Sequence, residues 1–174
     1  KPDQTEFDVK LAGALVKKEI DKHGLQHLEI YTENGRYITG PHGYLLTQVR
    51  HVMDKYKKYV GLDASMHNLM RPGMYGAYHH ITVLGKENNE HTNEYDVVGS
   101  LCENNDKFAI DRRLPQIEEG DVLVIHDCGA HGHSMGFNYN GLLKSPEVII
   151  SKESDPLLAR RGETTEDYLA TAIF

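Results

Sequence analysis

The sequence predicts a mainly β fold, an antiparallel Greek-key β-barrel or sandwich that is preceded by an α/β unit and closed by a C-terminal helix. Three observations lead there. Up to about residue 40 the apolar residues take helical spacing and then one short extended run. After Gly40-Pro41 they fall into runs of Val, Ile, Leu and Tyr separated by Gly, Asn and Asp, the pattern of successive strands and turns. Near the end, Thr164 followed by Asp167 has the form of a helix N-cap with an acidic first turn.

Between Phe7 and Gly24 the residues Val9, Ala12, Val16 and Ile20, with Leu11 and Leu15 beside them, recur at helical spacing, and Gly24 is placed to stop the helix. His27 to Thr32 (HLEIYT) reads as a strand, followed by the loop Glu33-Asn34-Gly35-Arg36. The predicted boundary near residue 40 separates segments 1–40 and 41–174. In the second segment the expected strands are Tyr44–Met53, Tyr59–Ser65, Ala77–Leu84, Tyr95–Glu103, Val122–Asp127, Glu147–Ser151 and Leu157–Arg161. Asp54–Lys57 is expected to join the first two as a hairpin, Glu119-Gly120-Asp121 to open the fifth, and Thr165 to Ala172 to form the closing helix.

Composition narrows the function classes. A length of 174 residues suffices for one domain, or one domain with part of another, and for a real core. A net charge of -7 argues against an extended nucleic-acid surface, and the groups Lys55, Lys57, Lys58 and Arg112, Arg113 are short enough to be read as solvated. No apolar run approaches the roughly 20 residues of a membrane span, and the start does not resemble a signal or transit peptide. Two cysteines, Cys102 and Cys128, are too few for a disulfide framework and fit a reducing, cytoplasmic setting. Lys1 in place of an initiator Met, with a helix beginning almost at once, gives the expectation that the chain is cut from something longer.

Several segments carry groups suited to chemistry. Glu33-Asn34-Gly35-Arg36 combines a glycine that admits a ligand to the backbone with an Arg able to pair with carboxylate or phosphate, and it equally describes a tight turn with a surface Arg. Arg71 and Tyr75, four residues apart on a segment constrained by Pro72, Gly73 and Gly76, can converge on one carboxylate or lie on a surface loop. Cys102 beside Glu103 at a strand end is either a proton donor or a small buried hydrophobe. His126, Cys128, His131 and His133 have spacing that suits a transition metal, but Gly129 and Gly132 interrupt the strand and no C-x-x-C or H-E-x-x-H accompanies them. Tyr139 follows a glycine-rich stretch, on a loop or an early helix turn, where it can reach a phosphate or ring or simply anchor the loop.

Taken together, several of these segments resemble the diaminopimelate decarboxylases, within the family of pyridoxal-phosphate-dependent decarboxylases that joins an alanine-racemase-like α/β barrel to a C-terminal β domain. The resemblance runs through nearly the whole chain. It is carried by Gly61-Leu62-Asp63-Ala64-Ser65-Met66, Asn68-Leu69-Met70-Arg71-Pro72, Met74-Tyr75-Gly76-Ala77-Tyr78-His79-His80, Cys102-Glu103, Glu118-Glu119-Gly120-Asp121, Gly129-Ala130 and Asn138-Tyr139-Asn140. Two positions depart from the family pattern: Asn34 stands where a Pro is usual, and Asn104 where a Ser is usual.

The resemblance implies that residues 1–40 are the last α/β unit of a truncated (β/α)8 barrel and 41–174 the β domain. A whole barrel takes roughly 250 residues, so the cofactor lysine would lie outside this chain. It further implies pyridoxal 5'-phosphate as cofactor, bound mainly by that missing barrel, with Glu33, Asn34, Gly35 and Arg36 at its phosphate and Tyr139 against it. Arg36 would also grip a substrate carboxylate, Arg71 and Tyr75 the distal carboxylate, and Glu103 the distal ammonium. Cys102 would be the proton donor, reaching into the active site of a partner subunit in a homodimer. The implied reaction converts meso-2,6-diaminopimelate to L-lysine and carbon dioxide, with the 174 residues alone inactive. Two other readings stand beside it: a metal-binding β-barrel using His126, His131 and His133, and a dimerisation module.

Overall fold

A computed structural model describes residues 4–173, and the chain divides into two compact units between Asn34 and Gly35. In the first, helix α1 (Val9–Lys22) starts at Asp8, whose carboxylate accepts the Leu11 amide at 2.9 Å. It stops at Gly24, which takes φ +65° so that the Leu25 amide reaches the Ile20 carbonyl at 3.0 Å. None of its residues is buried. The strand expected at His27–Thr32 is not formed. These residues are exposed, and no described strand pairs with them. Extended backbone needs a neighbour to take its N–H and C=O groups, so the strand pattern of HLEIYT goes unused.

The second unit opens with the short helix α2 (Gly35–Thr39) and a 3-10 turn at Gly40–His42. Six strands then form one sheet: β1 (Leu45–Asp54), β2 (Lys58–Leu62), β3 (Ile81–Val83), β4 (Asn93–Val98), β5 (Lys107–Leu114) and β6 (Val122–Ile125). Their spatial order is β3-β6-β1-β2-β4-β5. β7 (Glu147–Ile149) and β8 (Leu157–Arg160) make a separate antiparallel ribbon. Two short helices complete the unit, α3 (Arg71–Tyr75) and α4 (Thr165–Tyr168). α4 carries the expected capping box between Thr164 and Asp167 but is shorter than the predicted Thr165 to Ala172.

Alternation explains the core. Val60 and Leu62, Ile81 and Val83, Tyr95 and Val97, and Leu123 and Ile125 are buried at every second position, so one face of each strand meets the others in a single cluster. The hairpin β1–β2 pairs Asp54 with Lys58, as expected, and Gly120 takes φ +92° where the chain turns into β6.

Further features differ from the sequence prediction, among them the strands expected at Ala77–Leu84 and Tyr95–Glu103, which run over Ile81–Val83 and Asn93–Val98. β2 and β4 pair in parallel, so the sheet is not wholly antiparallel. β5 was not anticipated. Its sequence, Lys107-Phe-Ala-Ile-Asp-Arg-Arg-Leu114, carries four charges, and its alternation breaks at Asp111, which takes φ +48° opposite a register shift in β4. Of the basic groups, Lys55 and Arg113 are exposed as expected, whereas Lys57 and Arg112 are less solvated than composition suggested. Lys57 bonds the buried Asp96 at 3.1 Å and Asp111 at 2.5 Å, which stabilises the bulge. Arg112 is half-buried, lies 4.3 Å over the Tyr78 ring and donates to the His79 carbonyl at 2.8 Å. Because Arg112 is on edge strand β5 and His79 just precedes edge strand β3, this contact draws the two edges together into a nearly closed, barrel-like sheet.

A backbone crossing fixes the end of β6. The Cys128 amide donates to the Gly43 carbonyl at 2.8 Å and the Gly129 amide to the Gly40 carbonyl at 3.0 Å. A Cβ at Gly129 would stand 1.9 Å from the Thr39 carbonyl oxygen, so no other residue fits without moving one chain.

Candidate active site

The loop after β4 carries Cys102 and Glu103, both exposed. Its shape comes from a buried carboxylate. Asp106 Oδ1 accepts the Met66 amide and Oδ2 the Leu101 amide, each at 2.7 Å, while the Asp106 amide donates to the Glu103 carbonyl at 3.1 Å. Ser65 Oγ accepts the Ser100 amide at 2.9 Å. Gly99 makes room, since a Cβ there would lie 2.4 Å from Asp106 Oδ2. The segment Ala64-Ser65-Met66 is therefore the floor on which the loop is pinned.

Helix α3 rests on the same loop. A Cβ on Gly73 would stand 2.2 Å from the Asn105 carbonyl oxygen, so only glycine lets the helix carrying Arg71 and Tyr75 approach the Cys102-Glu103 turn this closely. Tyr139, on a single 3-10 turn at Tyr139–Gly141, directs its hydroxyl to the Cys102 carbonyl at 3.4 Å. The fold thus brings together Arg71, Tyr75, Cys102, Glu103 and Tyr139, which the sequence places far apart. Arg36 is exposed on α2, with its side chain over Gly40, and Gly35 opens that helix. Glu33 and Asn34 are exposed residues at the end of the first unit.

Charge at the site is unbalanced. Burial lowers the pKa of Arg71, and the neighbouring positive charge of Arg36 lowers it further. Among the described residues neither Arg36 nor Arg71 has a carboxylate ion-pair partner. Two guanidinium groups left in this state suit an anionic ligand with planar oxygens.

The two cysteines differ in chemistry. Cys128 is half-buried with its Sγ 3.2 Å from the Ile125 carbonyl, and burial pushes its thiol up to about 12. It is a packed group, not a reactive one.

The histidine-rich segment makes no metal site. Among the described residues no three His, Cys, Asp or Glu side chains are grouped to hold an ion. The His126 ring packs against Tyr44 and His80, with its Nε2 3.0 Å from the Thr82 hydroxyl, while His133 lies 3.8 Å from Glu147. The metal-binding alternative has no support: His126 and His133 face different neighbours, and among the described residues His131 joins no metal-ligating group.

Burial instead gives the histidines a role in acid stability. His67 and His79 are enclosed, and desolvation lowers the pKa of each below the ordinary 6.5. The unfolded chain then binds a proton that the fold refuses, so their contribution to stability is complete above pH 6.5 and declines as pH falls below it. We expect the thermal midpoint to be level above pH 7 and to drop on acidification, at up to about 1.4 kcal/mol per histidine for each pH unit. A midpoint that rises between pH 6.5 and 5 would contradict this.

The family model described as pyridoxal-dependent decarboxylase, C-terminal sheet domain, matches residues 36–129, more than half of the chain. The chain belongs to this family. Among curated members it is 42% identical to the diaminopimelate decarboxylase of Methanothermobacter thermautotrophicus over 167 residues, covering 96% of this chain and 39% of that protein. It is 51% identical to protein TabA of Pseudomonas amygdali pv. tabaci over 140 residues, covering 80% of this chain and 33% of that one. The solved diaminopimelate decarboxylase of M. jannaschii is 36% identical, with a TM-score of 0.87 over 100% of this chain and 40% of its own. The chain therefore spans about two fifths or less of these decarboxylases and relatives.

Proposed function

We propose that this chain is the C-terminal, substrate-gripping and dimerisation part of a diaminopimelate decarboxylase, acting in the cytoplasm on meso-2,6-diaminopimelate to give L-lysine and carbon dioxide. The observation that supports this reading is the contact of Gly73 with the Asn105 carbonyl, which seats the helix of Arg71 and Tyr75 against the turn that carries Cys102 and Glu103. A substrate with an amino acid group at each end calls for that combination. A diaminopimelate decarboxylase solved with L-lysine also matches this chain, with a TM-score of 0.84.

In this reading Arg71 and Tyr75 hold the carboxylate at the distal, non-reacting end, and Glu103 accepts hydrogen bonds from the ammonium there. Arg36 grips a carboxylate of the substrate and, with Glu33, Asn34 and Gly35, borders the cofactor phosphate. Tyr139 lies against the cofactor. The unpaired charges of Arg36 and Arg71 fit an anionic group of this kind. Pyridoxal phosphate, when bound, supplies the electron sink for the pair left behind by carbon dioxide. Cys102 then delivers a proton to that carbon across a homodimer interface, and the remote contacts hold the scissile bond in position. Residues 1–40 form the end of the cofactor-binding barrel, and residues 41–174 the β domain.

The test is an assay of the full-length protein with pyridoxal phosphate. Equal amounts of carbon dioxide and L-lysine from meso-diaminopimelate are expected, and turnover of ornithine in preference would refute the assignment. The 174 residues alone are expected to yield neither lysine nor a new visible absorption band with pyridoxal phosphate. Lys57 is held protonated by its bond to Asp111 and then by Asp96, Lys86 pairs with Asp121 at 2.7 Å, and Lys55 is exposed on the β1–β2 turn.

A further inference from the structure

His79 is fully enclosed and is held from three directions. Its Nδ1 donates to the His126 carbonyl at 2.8 Å, and its own carbonyl accepts from Arg112 at 2.8 Å. With the proton on Nδ1, the other ring nitrogen keeps a bare lone pair, and this Nε2 accepts from Arg71 Nη1 at 3.1 Å. We propose that His79 is a positioning residue that sets the rotation of the Arg71 guanidinium, and through it the preference for a substrate with a distal carboxylate. This rests on the reading of Arg71 as the distal clamp.

The physical case turns on what else could hold an arginine. A carboxylate would orient the guanidinium but neutralise it and compete with the substrate's own carboxylate. A neutral imidazole occupies one N–H and leaves the charge and the remaining donors of the fork for a planar anion. No described carboxylate pairs with Arg71, so the imidazole is the partner that aims it. The groups facing the ring keep it neutral. Burial has the largest effect, Arg71 and Arg112 add positive charge, and these outweigh the bond to the His126 carbonyl and the negative charge of Asp127. A protonated His79 would point a donor at a donor.

Two substitutions in the full-length enzyme separate the ring's two bonds. His79→Asn keeps a donor for the His126 carbonyl and withdraws the acceptor from Arg71, whereas His79→Gln keeps an acceptor on the Arg71 side. We expect His79→Asn to raise KM for meso-diaminopimelate about tenfold, the scale of one hydrogen bond to a charged group, with kcat changed by less than about threefold. The inhibition constant of cadaverine, a diamine with no carboxylate at either end, should not follow, whereas that of L-lysine, which keeps the distal carboxylate, should rise with KM, and His79→Gln should recover most of the loss. In an Arg71→Met background His79→Asn should add nothing. Equal damage by Asn and Gln, or an equal rise for cadaverine, would overturn the proposal. If Arg71→Met itself spares meso-diaminopimelate, the clamp reading falls. If Arg71→Met is selective and His79→Asn is silent, only the role of His79 falls. Independently of any substitution, 15N spectra of histidine-labelled native enzyme should give His79 an unprotonated Nε2, and a protonated Nε2 would refute the idea.

Discussion

Replacing Cys102 by Ala in the full-length protein should lower kcat by about 10²–10⁴ and change KM for meso-diaminopimelate far less, because a general acid acts mainly in the transition state. The thiol is exposed on a turn whose backbone is pinned by Asp106 and Ser65, so its removal deletes the reacting group without disturbing the loop. Cys128→Ser is the matched control. That thiol is half-buried with a pKa near 12, and its replacement should alter stability more than kcat. An unchanged kcat in Cys102→Ala, measured alongside this control, would remove Cys102 from the chemistry.

Arg71→Met should lower kcat/KM for meso-diaminopimelate by at least ~100-fold, since a charge-assisted bidentate contact is worth roughly 2–3 kcal/mol or more. Activity on ornithine or lysine should fall much less, because neither offers a carboxylate at its far end. Arg71 opens α3 and touches His79, so the substitution also tests whether the helix keeps its place. Equal losses on both substrate classes would mean that Arg71 shapes the segment Asn68–Tyr75 instead of reading the substrate.

Much of this fold follows from period-two burial. β1, β2, β6, β7 and β8 lie within three residues of their predicted ends, because short runs rich in Val, Ile and Leu stand between turn formers. β5 escaped for a physical reason: its bulge at Asp111 breaks the alternation, and its charges are used locally, by Lys57 at one point and by the His79 carbonyl at another. A charged strand is legible only when the partners of those charges are known. HLEIYT failed in the opposite way, carrying a strand pattern without a neighbour to satisfy it.

The site divides similarly. Arg71, Tyr75, Cys102, Glu103 and Tyr139 could be singled out from motif order, but nothing in their spacing gives the proximity that Gly73 creates. Asp106 went unnoticed because an acidic residue after Asn104-Asn105 looks like an ordinary turn. Its weight comes from burial and from the two amides that it accepts. His79 was visible only as one of a histidine pair, and the lone pair facing Arg71 follows from a carbonyl 47 positions away in the chain.

The close seating of Gly73 against Asn105 bears on how such an enzyme can be retuned. With a carbonyl oxygen where a side chain would begin, helix and loop have no slack between them, and a shift of one is transmitted to the other. The helix of Arg71 and Tyr75 and the turn of Cys102 and Glu103 are therefore set relative to each other within the chain. Attempts to accept a longer or shorter substrate by remodelling either backbone segment would displace both. A change of length is better sought by exchanging the side chains at positions 71, 75 and 103 while the two glycine contacts, at 73 and 99, are left untouched.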